Sequence, residues 1–228
     1  MKKIVLVVVM VSALGFLGYW GVEMYQLQSG AKRGEEETKK LENFRFKQEI
    51  QNGDIIFQTS KSSQSKAIQL ATNSKYSHMG IIYENTGKYL VYEAVQPVKL
   101  TPLQEWINRG EKGHYVIKRL KNSEKILTSE VLDQMRLVGE KFKGKSYDIY
   151  FEWSDDKIYC SELVWKIYKE ATGIEIGELE QLSDFDLSSD IVKQKMKERY
   201  GDQVPMDERV ISPKAMFNSA KLITVKEE

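Results

Sequence analysis

The chain has 228 residues, of which 41% are hydrophobic and 29% charged, a composition that suits one globular domain plus a further segment. Its formal net charge is +1, from 34 basic and 33 acidic residues, which gives no support for nucleic-acid binding. One cysteine and two histidines exclude an intrachain disulfide and make a zinc site of the usual kind hard to build. We therefore expect no nucleic-acid partner and neither a metal nor an organic cofactor.

The first 25 residues carry the clearest targeting signal in the chain. Lys2 and Lys3 precede an uncharged run from Ile4 to Val22, which is close to the ~20 residues that a membrane-spanning helix needs. A basic start and an apolar middle are also typical of a secretory signal peptide. We predict that residues 1–25 are a signal peptide or a transmembrane anchor rather than a buried core helix. Both alternatives place the rest of the chain outside the cytoplasm, membrane-anchored or secreted, in the cell envelope or periplasm.

A polar stretch separates this segment from the globular part. Residues 26–48 include the acidic run Glu35–Glu37 and are predicted to be a linker or a surface helix. The turn signal at Asn52 and Gly53 marks the beginning of the domain, which we place at residues 49–225.

The domain itself mixes strands and helices. Glu84–Gly87 separates two β-rich runs and predicts a hairpin with a four-residue loop. Leu127–Phe142 and Cys160–Ala171 have the spacing of amphipathic helices, and the acidic segment Glu175–Asp190 is predicted to be a surface loop. The predicted strands are 54–58, 79–83, 88–95 and 114–120, and the predicted helices are 62–72, a short helix between Thr101 and Gly110, 127–142 and 160–171. These elements predict an α+β fold with an antiparallel sheet packed against helices.

Cys160 stands at the predicted start of its helix. The partial positive charge and the free amides of a helix N-terminus stabilise a thiolate placed there, and the same amides can donate to an oxyanion. The alternative is a buried structural cysteine, because Cys160 also falls on the apolar stripe of that helix.

His78 heads the strand that enters the predicted hairpin. Counting through the four-residue loop places His78 opposite Glu93, with β-carbons ~4.5–5.5 Å apart. A carboxylate in that place can fix the imidazole tautomer and stabilise the imidazolium, as the third member of a catalytic triad does. The alternative is a His–Glu pair on the protein surface. A one-residue slip of the register would separate the two side chains, and His114 and Glu84 would then compete for the orienting role.

Gly80 follows His78 by two residues and therefore lies on the same face of its strand. Glycine inside a strand often marks the close approach of another backbone. We expect the start of the Cys160 helix to dock there, which would bring the thiol near the imidazole.

Taken together, these motifs resemble the permuted branch of the NlpC-type cell-wall hydrolase superfamily, which is papain-like in fold. The resemblance is to the YiiX-like group, distantly related to lecithin:retinol acyltransferase, and it covers about residues 52–171. The matching motifs are Gly53-Asp54-Ile55-Ile56-Phe57, Tyr76-Ser77-His78-Met79-Gly80-Ile81, Tyr92-Glu93-Ala94 and Tyr159-Cys160-Ser161-Glu162-Leu163-Val164, with Ile211-Ser212-Pro213 as a weaker match. The ordinary branch carries its cysteine before its histidine, whereas triads are defined by geometry and not by chain order.

The resemblance implies catalytic roles for three residues and binding roles for others. Cys160 is the implied nucleophile, His78 its base and Glu93 the third polar residue. The segment around Tyr147 resembles the one that bears the active-site tyrosine of the family. Tyr147 is therefore a candidate to help bind the oxyanion or the substrate. Tyr159 and Ser77, each next to one member of the pair, are the rival candidates.

The resemblance implies an exported or membrane-anchored cysteine peptidase or amidase that works through a thioester. Because the domain is expected to face the cell envelope, a cell-wall peptide is the first candidate substrate. The alternatives are a lipid or N-acyl substrate, hydrolysed or transferred by the same triad, and an anchored binding domain that keeps the fold without catalysis.

Overall fold

The computed structural model describes residues 24–38 and 50–228. The chain divides into two compact units, Met1–Glu49 and Ile50–Glu228. In the first unit, residues 24–38 are helical (α1) and exposed. Residues 1–23, which hold most of the predicted signal peptide or anchor, lie outside the described residues. Within the part that is described, no helix combines the length and the apolar character needed to cross a membrane.

The second unit carries the strands and the remaining helices. The strands are β1 Ile55–Ser60, β2 His78–Asn85, β3 Lys88–Glu93, β4 Lys99–Pro102, β5 Gly110–Leu120, β6 Glu180–Gln181, β7 Arg209–Val210 and β8 Leu222–Glu227. The helices are α2 Ser65–Thr72, α3 Leu103–Arg109, α4 Ser123–Ile126, α5 Ser129–Glu140, α6 Cys160–Thr172, α7 Asp190–Tyr200 and α8 Pro213–Phe217.

Six of these strands form one sheet in the order β4-β3-β2-β1-β5-β8. Every neighbouring pair in that sheet is antiparallel, while β6 and β7 form a separate two-stranded ribbon. The predicted α+β class, with an antiparallel sheet packed against helices, is therefore confirmed.

The β2–β3 hairpin has a shorter loop than the sequence predicts. Asn85 pairs with Lys88, so the loop is Thr86 and Gly87 rather than the whole of Glu84–Gly87. Both loop residues have positive φ, 50° and 78°, as a two-residue type I′ turn requires. A β-branched threonine is uncommon in that conformation, which is why the sequence favours the longer loop. The pairing of β2 with β3 is therefore shifted by two residues from the predicted register. Because side chains alternate between the two faces of a sheet, a shift of two keeps each side chain on its predicted face.

The main core lies between the sheet and helix α6. Leu163, Val164 and Ile167 of α6 belong to one apolar cluster with Met79 and Ile81 of β2. The helix forms where the sequence predicts it, because its apolar residues recur at the spacing of one helical face. It ends at Thr172, and the next residue, Gly173, has a φ of 75° that suits a glycine C-cap.

The predicted docking of this helix against Gly80 is wrong. A β-carbon on Gly80 would lie 2.5 Å from Val91 Cγ1 and 2.7 Å from the carbonyl oxygen of Tyr92. Glycine is needed there because β3 is close, and α6 packs instead against the alternate residues of β2.

A smaller apolar cluster, here called the satellite cluster, joins α2 to the segment after α6. Its buried members are Ala67, Leu182, Val192 and Met196. The segment predicted as a surface loop contains β6 and a 3-10 helix at Leu182–Asp184, and α7 follows it. Only Val192 and Met196 of α7 are buried, so the helix gave no amphipathic signal in the sequence.

The motif at Gly53 and Asp54 connects three elements of the domain. The Asp54 carboxylate accepts two hydrogen bonds of 2.8 Å from the Arg119 guanidinium of β5. Gly53 adopts φ 88°, and its carbonyl accepts a hydrogen bond from the Tyr168 hydroxyl of α6. The motif therefore connects the start of β1 to the strand beside it and to the cysteine helix.

Candidate active site

Cys160 is the first residue of α6, and Tyr159 occupies the N-cap position. Its side chain is almost completely buried, with 2% exposure. The next residue, Ser161, fixes the start of the helix by donating a hydrogen bond of 2.7 Å to the carbonyl of Ile211. The thiol therefore lies among the free amides and the positive dipole end of the helix, as the sequence predicts.

His78 connects Cys160 to Glu93. Its Nε2 donates a hydrogen bond of 2.6 Å to the Glu93 carboxylate, and its ring lies close enough to the Cys160 side chain for that side chain to raise the pKa of the imidazole. Because Nε2 is bonded to Glu93, Nδ1 is the nitrogen left for the thiol. Glu93 pairs diagonally with His78 rather than directly opposite, and the two side chains still meet because diagonal neighbours remain within reach.

The environment of His78 favours its charged form. Burial lowers the pKa of His78, but the interactions with Cys160 and Glu93 outweigh burial and raise the pKa to about 9. Burial raises the pKa of Glu93, but the His78, Thr101 and Arg109 side chains lower it by more. The net shift of the Glu93 pKa is therefore downward. The site therefore holds an imidazolium between two groups that stabilise positive charge.

Three further residues complete the surroundings of Glu93 and His78. Thr101 donates a hydrogen bond of 2.5 Å to Glu93 Oε1, and Arg109 donates to the same oxygen. The indole of Trp106 stacks on the His78 ring at 5.8 Å between centroids and 24° between planes. Nothing in the local sequence pattern predicts these three contacts. Thr101 lies just before α3 but does not cap it, because the N-cap is Pro102.

His114 and Glu84, the competing orienters, lie elsewhere. The Nε2 of His114 is 3.2 Å from Lys75 Nζ and 3.9 Å from a Glu227 carboxylate oxygen. Glu84 is exposed, and its carboxylate accepts the Gly87 backbone N–H in the hairpin. Neither side chain is hydrogen-bonded to His78.

Tyr147 lies close to the thiol with its hydroxyl held by other side chains. Gln64 Nε2 donates a hydrogen bond of 3.0 Å to the Tyr147 hydroxyl oxygen, and Gln64 Oε1 accepts one of 2.9 Å from Arg199. Burial raises the pKa of Tyr147 well above its ordinary value, and the neighbouring Cys160 raises it further. Because the oxygen accepts from Gln64, the hydroxyl hydrogen is left to donate to an oxyanion formed beside Cys160.

The other two binding candidates have structural contacts. The Tyr159 hydroxyl accepts the backbone N–H of Ile211 at 3.1 Å. The Ser77 hydroxyl accepts the backbone N–H of Ser60 at 2.9 Å and lies 2.6 Å from the Ser65 hydroxyl. Both residues are buried, and these contacts connect the cysteine helix and α2 to the rest of the domain.

Two recesses border the Cys160–His78 pair. The first, here called the polar cleft, is lined by His78 and by polar side chains that include Gln58, Gln64, Gln96, Asn108 and Arg109. The second, here called the apolar pocket, is lined by Cys160 and by side chains of α2, α7 and the segment between α6 and α7. Tyr147 lines both recesses.

Comparison with known proteins gives one consistent group of matches. Residues 49–226 match the family model described as permuted papain-like amidase enzyme, YaeF/YiiX, C92 family. The chain is 50% identical over 183 residues to the uncharacterized protein YiiX of Escherichia coli K12, covering 80% of this chain and 89% of that protein. It also matches the crystal structure of the metalloprotein yiiX from Escherichia coli O157:H7 at a TM-score of 0.75 and 50% identity, covering 79% of this chain and 98% of that one.

Proposed function

The chain belongs to the YaeF/YiiX family of permuted papain-like amidases, and on that premise we propose that it is a cysteine hydrolase that cleaves amide bonds. The nucleophile is Cys160, the proton carrier is His78 and the orienting carboxylate is Glu93. The observation that carries the proposal is the imidazole held between two side chains, hydrogen-bonded at 2.6 Å to a buried carboxylate and close enough to Cys160 for that side chain to raise its pKa.

The reaction follows from this arrangement. The Cys160 sulfur attacks the amide carbonyl carbon and forms a C–S bond, while the carbonyl oxygen becomes an oxyanion. The amides at the start of α6 and the Tyr147 hydroxyl are placed to stabilise that charge. When the C–N bond breaks, the His78 imidazolium gives its proton to the departing amine.

A water molecule then completes the cycle. The neutral His78 takes a proton from water as the water oxygen attacks the thioester carbonyl. The C–S bond breaks, releasing a carboxylic acid and restoring the thiolate–imidazolium pair. Glu93 never takes the proton, and it acts by holding the ring so that Nδ1 faces the sulfur.

The related protein of known structure, yiiX from Escherichia coli O157:H7, is described as a metalloprotein. In residues 24–38 and 50–228 of this chain, no group of three or more His, Cys, Asp or Glu side chains is arranged to hold a metal ion. His78 Nε2 is already bonded to Glu93, which leaves that nitrogen no free lone pair for a metal. The residues around Cys160 therefore do not fit a metal site, and the proposed reaction uses only groups of this chain, the substrate and water.

We also propose an extracytoplasmic location, membrane-anchored or secreted, on the strength of the basic and then apolar sequence of residues 1–25. In that location peptidoglycan peptides and acyl lipids are both accessible substrates.

The proposal is tested by thiol reactivity and turnover together. We expect iodoacetamide to alkylate native Cys160 rapidly near neutral pH, and His78→Ala to slow the alkylation. His114→Ala is the matched control, since it removes the other histidine and should leave the rate unchanged. In a screen of peptide, peptidoglycan and N-acyl amides, Cys160→Ala should lose roughly 10³-fold or more of the turnover. A thiol that reacts only after denaturation, with no amide turned over, would identify a binding domain instead.

A further inference from the structure

The polar cleft is the recess that faces the departing amine. In the proposed reaction that amine takes its proton from His78 when the C–N bond breaks, and His78 lines the polar cleft. The side chains around the cleft therefore determine which amines can be released. The inference drawn from them rests on the proposed amidase function and specifies the amine half of its substrate.

Positive charge predominates along the polar cleft. Lys61 and Arg109 line it together with His78, and no aspartate or glutamate does so among the residues that the structure describes. Glu93 is completely buried and already accepts hydrogen bonds from His78 and Arg109, so its charge is not available to a ligand. An amine half with a second positive charge would therefore meet cations without a counter-charge.

The hydrogen-bond acceptors of the cleft are largely used within the protein. Three side-chain amides in its lining have a carbonyl oxygen that already accepts a hydrogen bond, namely those of Gln64, Gln96 and Asn108. An ammonium group or a sugar, which offers several donors, would find little there to accept them. The cleft is therefore poorly suited to a ligand whose polar atoms are mainly donors.

The donors of the cleft, in contrast, are left over. Within the described part of the chain, the Lys61 ammonium and the Asn108 amide nitrogen donate to no acceptor. Arg109 gives one N–H to Glu93, and its Nε is buried without a partner. A guanidinium has five N–H donors, so most of those of Arg109 are unused. The cleft therefore offers donors and positive charge together.

Gln58 adds a further donor beside the imidazole. It pairs with His78 across β1 and β2, so the two side chains lie on one face of the sheet with β-carbons ~4.5–5.5 Å apart. Gln58 is 1% exposed, and its Oε1 is buried without a partner, where a β-carbon on Gly110 would collide with it. Glycine at that position makes room for the carbonyl arm of the amide, which leaves the NH₂ arm for the cleft that Gln58 lines.

We propose that the polar cleft binds an anionic group, a carboxylate or a phosphate, on the amine half of the substrate. Both groups consist of negatively charged acceptors, which complement free N–H donors and positive charge, and the planar guanidinium fork suits either of them. The proposed binding residues are Gln58, Lys61, Asn108 and Arg109. The expected substrates are therefore amides of amino acids or of aminoalkyl phosphates, and amides of neutral amines or diamines should be poor substrates.

Binding of matched amides to Cys160→Ala tests the charge preference without turnover. Four probes share a butanoyl group and differ in the amine, which is glycine, O-phosphoethanolamine, glycinamide or ethylenediamine. In NMR titrations we expect Kd to be about tenfold or more lower for an anionic probe than for the neutral glycinamide probe, because hydrogen bonds to ionised acceptors are about twice as strong. The cationic probe should bind most weakly.

The two anionic probes also distinguish the sources of the charge. A preference for the carboxylate or for the phosphate supports the inference and identifies the group. Equal Kd values for butanoylglycine and butanoylglycinamide, with no gain for the phosphate, would overturn it. Absence of binding by all four probes would overturn it as well.

Two variants test the residues assigned to the site. Lys61→Glu should raise the Kd of butanoylglycine by about threefold or more and leave that of butanoylglycinamide nearly unchanged. Lys88→Glu is the matched control, because it makes the same change at an exposed residue at the opposite end of β3 from Glu93. Gln58→Met keeps the length of the side chain, removes its NH₂ group and should also weaken the carboxylate probe selectively. Equal losses for both probes, in variants with native circular dichroism, would contradict the assignment.

Turnover of the same probes by the unmodified protein separates this inference from the amidase proposal. Released amine is the readout, and kcat/KM should follow the order of the binding constants. Anion-selective binding with no turnover of any amide would support the cleft assignment and contradict the amidase. Turnover without a charge preference would contradict the cleft assignment and leave the amidase standing.

Discussion

At the scale of single residues, the charge of His78 is decided by its neighbours. Burial alone would make the imidazole neutral, yet the Cys160 and Glu93 side chains raise its pKa to about 9. At neutral pH His78 should therefore carry the proton that the proposed reaction gives to the leaving amine. Above that pKa the site loses its acid, so amide cleavage should decline as the pH rises past about 9.

The titration of His78 can be followed directly because the chain has only two histidines. We expect one imidazole to titrate near pH 9 in NMR spectra, and Cys160→Ala to move that midpoint down. The folded pKa lies above the ordinary value of 6.5. The associated stability is therefore complete below pH 6.5 and is lost as the pH rises through about 9. His114→Gln assigns the second signal. A His78 midpoint at or below its ordinary value would contradict the ion pair.

Glu93 is held so that a glutamine cannot replace it. Its Oε1 accepts from Thr101 and Arg109 while the other oxygen accepts from His78. In Glu93→Gln, those two donors fix the amide oxygen at the Oε1 position and point the NH₂ group at His78. The imidazole must then accept at Nε2 and carry its proton on Nδ1, the wrong tautomer for taking a proton from water.

We therefore expect Glu93→Gln to lower kcat by about 10²–10⁴-fold, as a wrong tautomer does in serine proteases. The His78 midpoint should also fall, because the carboxylate charge is lost. Thr101→Val is the comparison variant, since it removes one donor and keeps the carboxylate, and its loss should be much smaller. Wild-type turnover in Glu93→Gln would show that Glu93 does not orient His78.

The two tyrosines near the thiol are distinguished by what their hydroxyls already contact. Each hydroxyl oxygen accepts one hydrogen bond and keeps its own hydrogen, but the Tyr147 hydroxyl is held by the Gln64 side chain, whereas the Tyr159 hydroxyl connects the cysteine helix to the backbone of Ile211. Tyr147→Phe should lower kcat by about 10²-fold with little change in KM. Tyr159→Phe should reduce stability more than kcat, as measured by thermal unfolding. The opposite ranking of the two kcat values would transfer the oxyanion role to Tyr159.

At the scale of elements, the sequence predicts what repeats locally and misses what depends on distant contacts. Helix α6 was predicted from its apolar spacing and begins at Cys160 as expected. The hairpin was predicted with the wrong loop because Thr86 adopts a conformation that β-branched residues disfavour. Helix α7 was missed because its few buried residues contact α2, which lies more than a hundred residues earlier in the chain.

The ion pair between β1 and β5 gives a prediction for stability. Asp54 is 1% exposed and holds the Arg119 guanidinium through two hydrogen bonds. Asp54→Ala should lower the free energy of unfolding by about 3–5 kcal/mol, because it leaves a largely buried cation without its carboxylate. Urea titration measures the change, and Asp133→Ala, which removes an exposed ion pair with Arg136, should cost less than ~1 kcal/mol. Similar values for both variants would refute the structural role of the motif.

At the scale of the whole molecule, the candidate site assembles from three separate parts of the chain. The hairpin brings His78 and Glu93 together within one local unit, so their contact was predictable from sequence. The approach of Cys160 depends on how α6 packs on the sheet. The family resemblance indicated it, whereas the docking at Gly80 that the sequence predicted is not the contact that brings it about. The contacts of Trp106, Arg109 and Gln64 could not be predicted, because nothing in the local pattern relates α2 and α3 to the pair.

The proposed location of the domain can be tested with fusions to the C-terminal residue, Glu228. A reporter enzyme that works only outside the cytoplasm should give a signal in this fusion. A reporter that works only in the cytoplasm should give none. Lys2→Glu with Lys3→Glu should weaken export, because the positive flank orients the apolar segment. Full activity of the cytoplasmic reporter would contradict the proposed location.

The satellite cluster has a consequence for the motions of the domain. It buries four apolar residues, whereas the core between the sheet and α6 buries many more. Local opening costs least where few apolar contacts must be broken. The amide hydrogens of α7 should therefore exchange with solvent well before those of α6. The wall of the apolar pocket that α7 supplies would then open while the helix that carries the thiol stays folded.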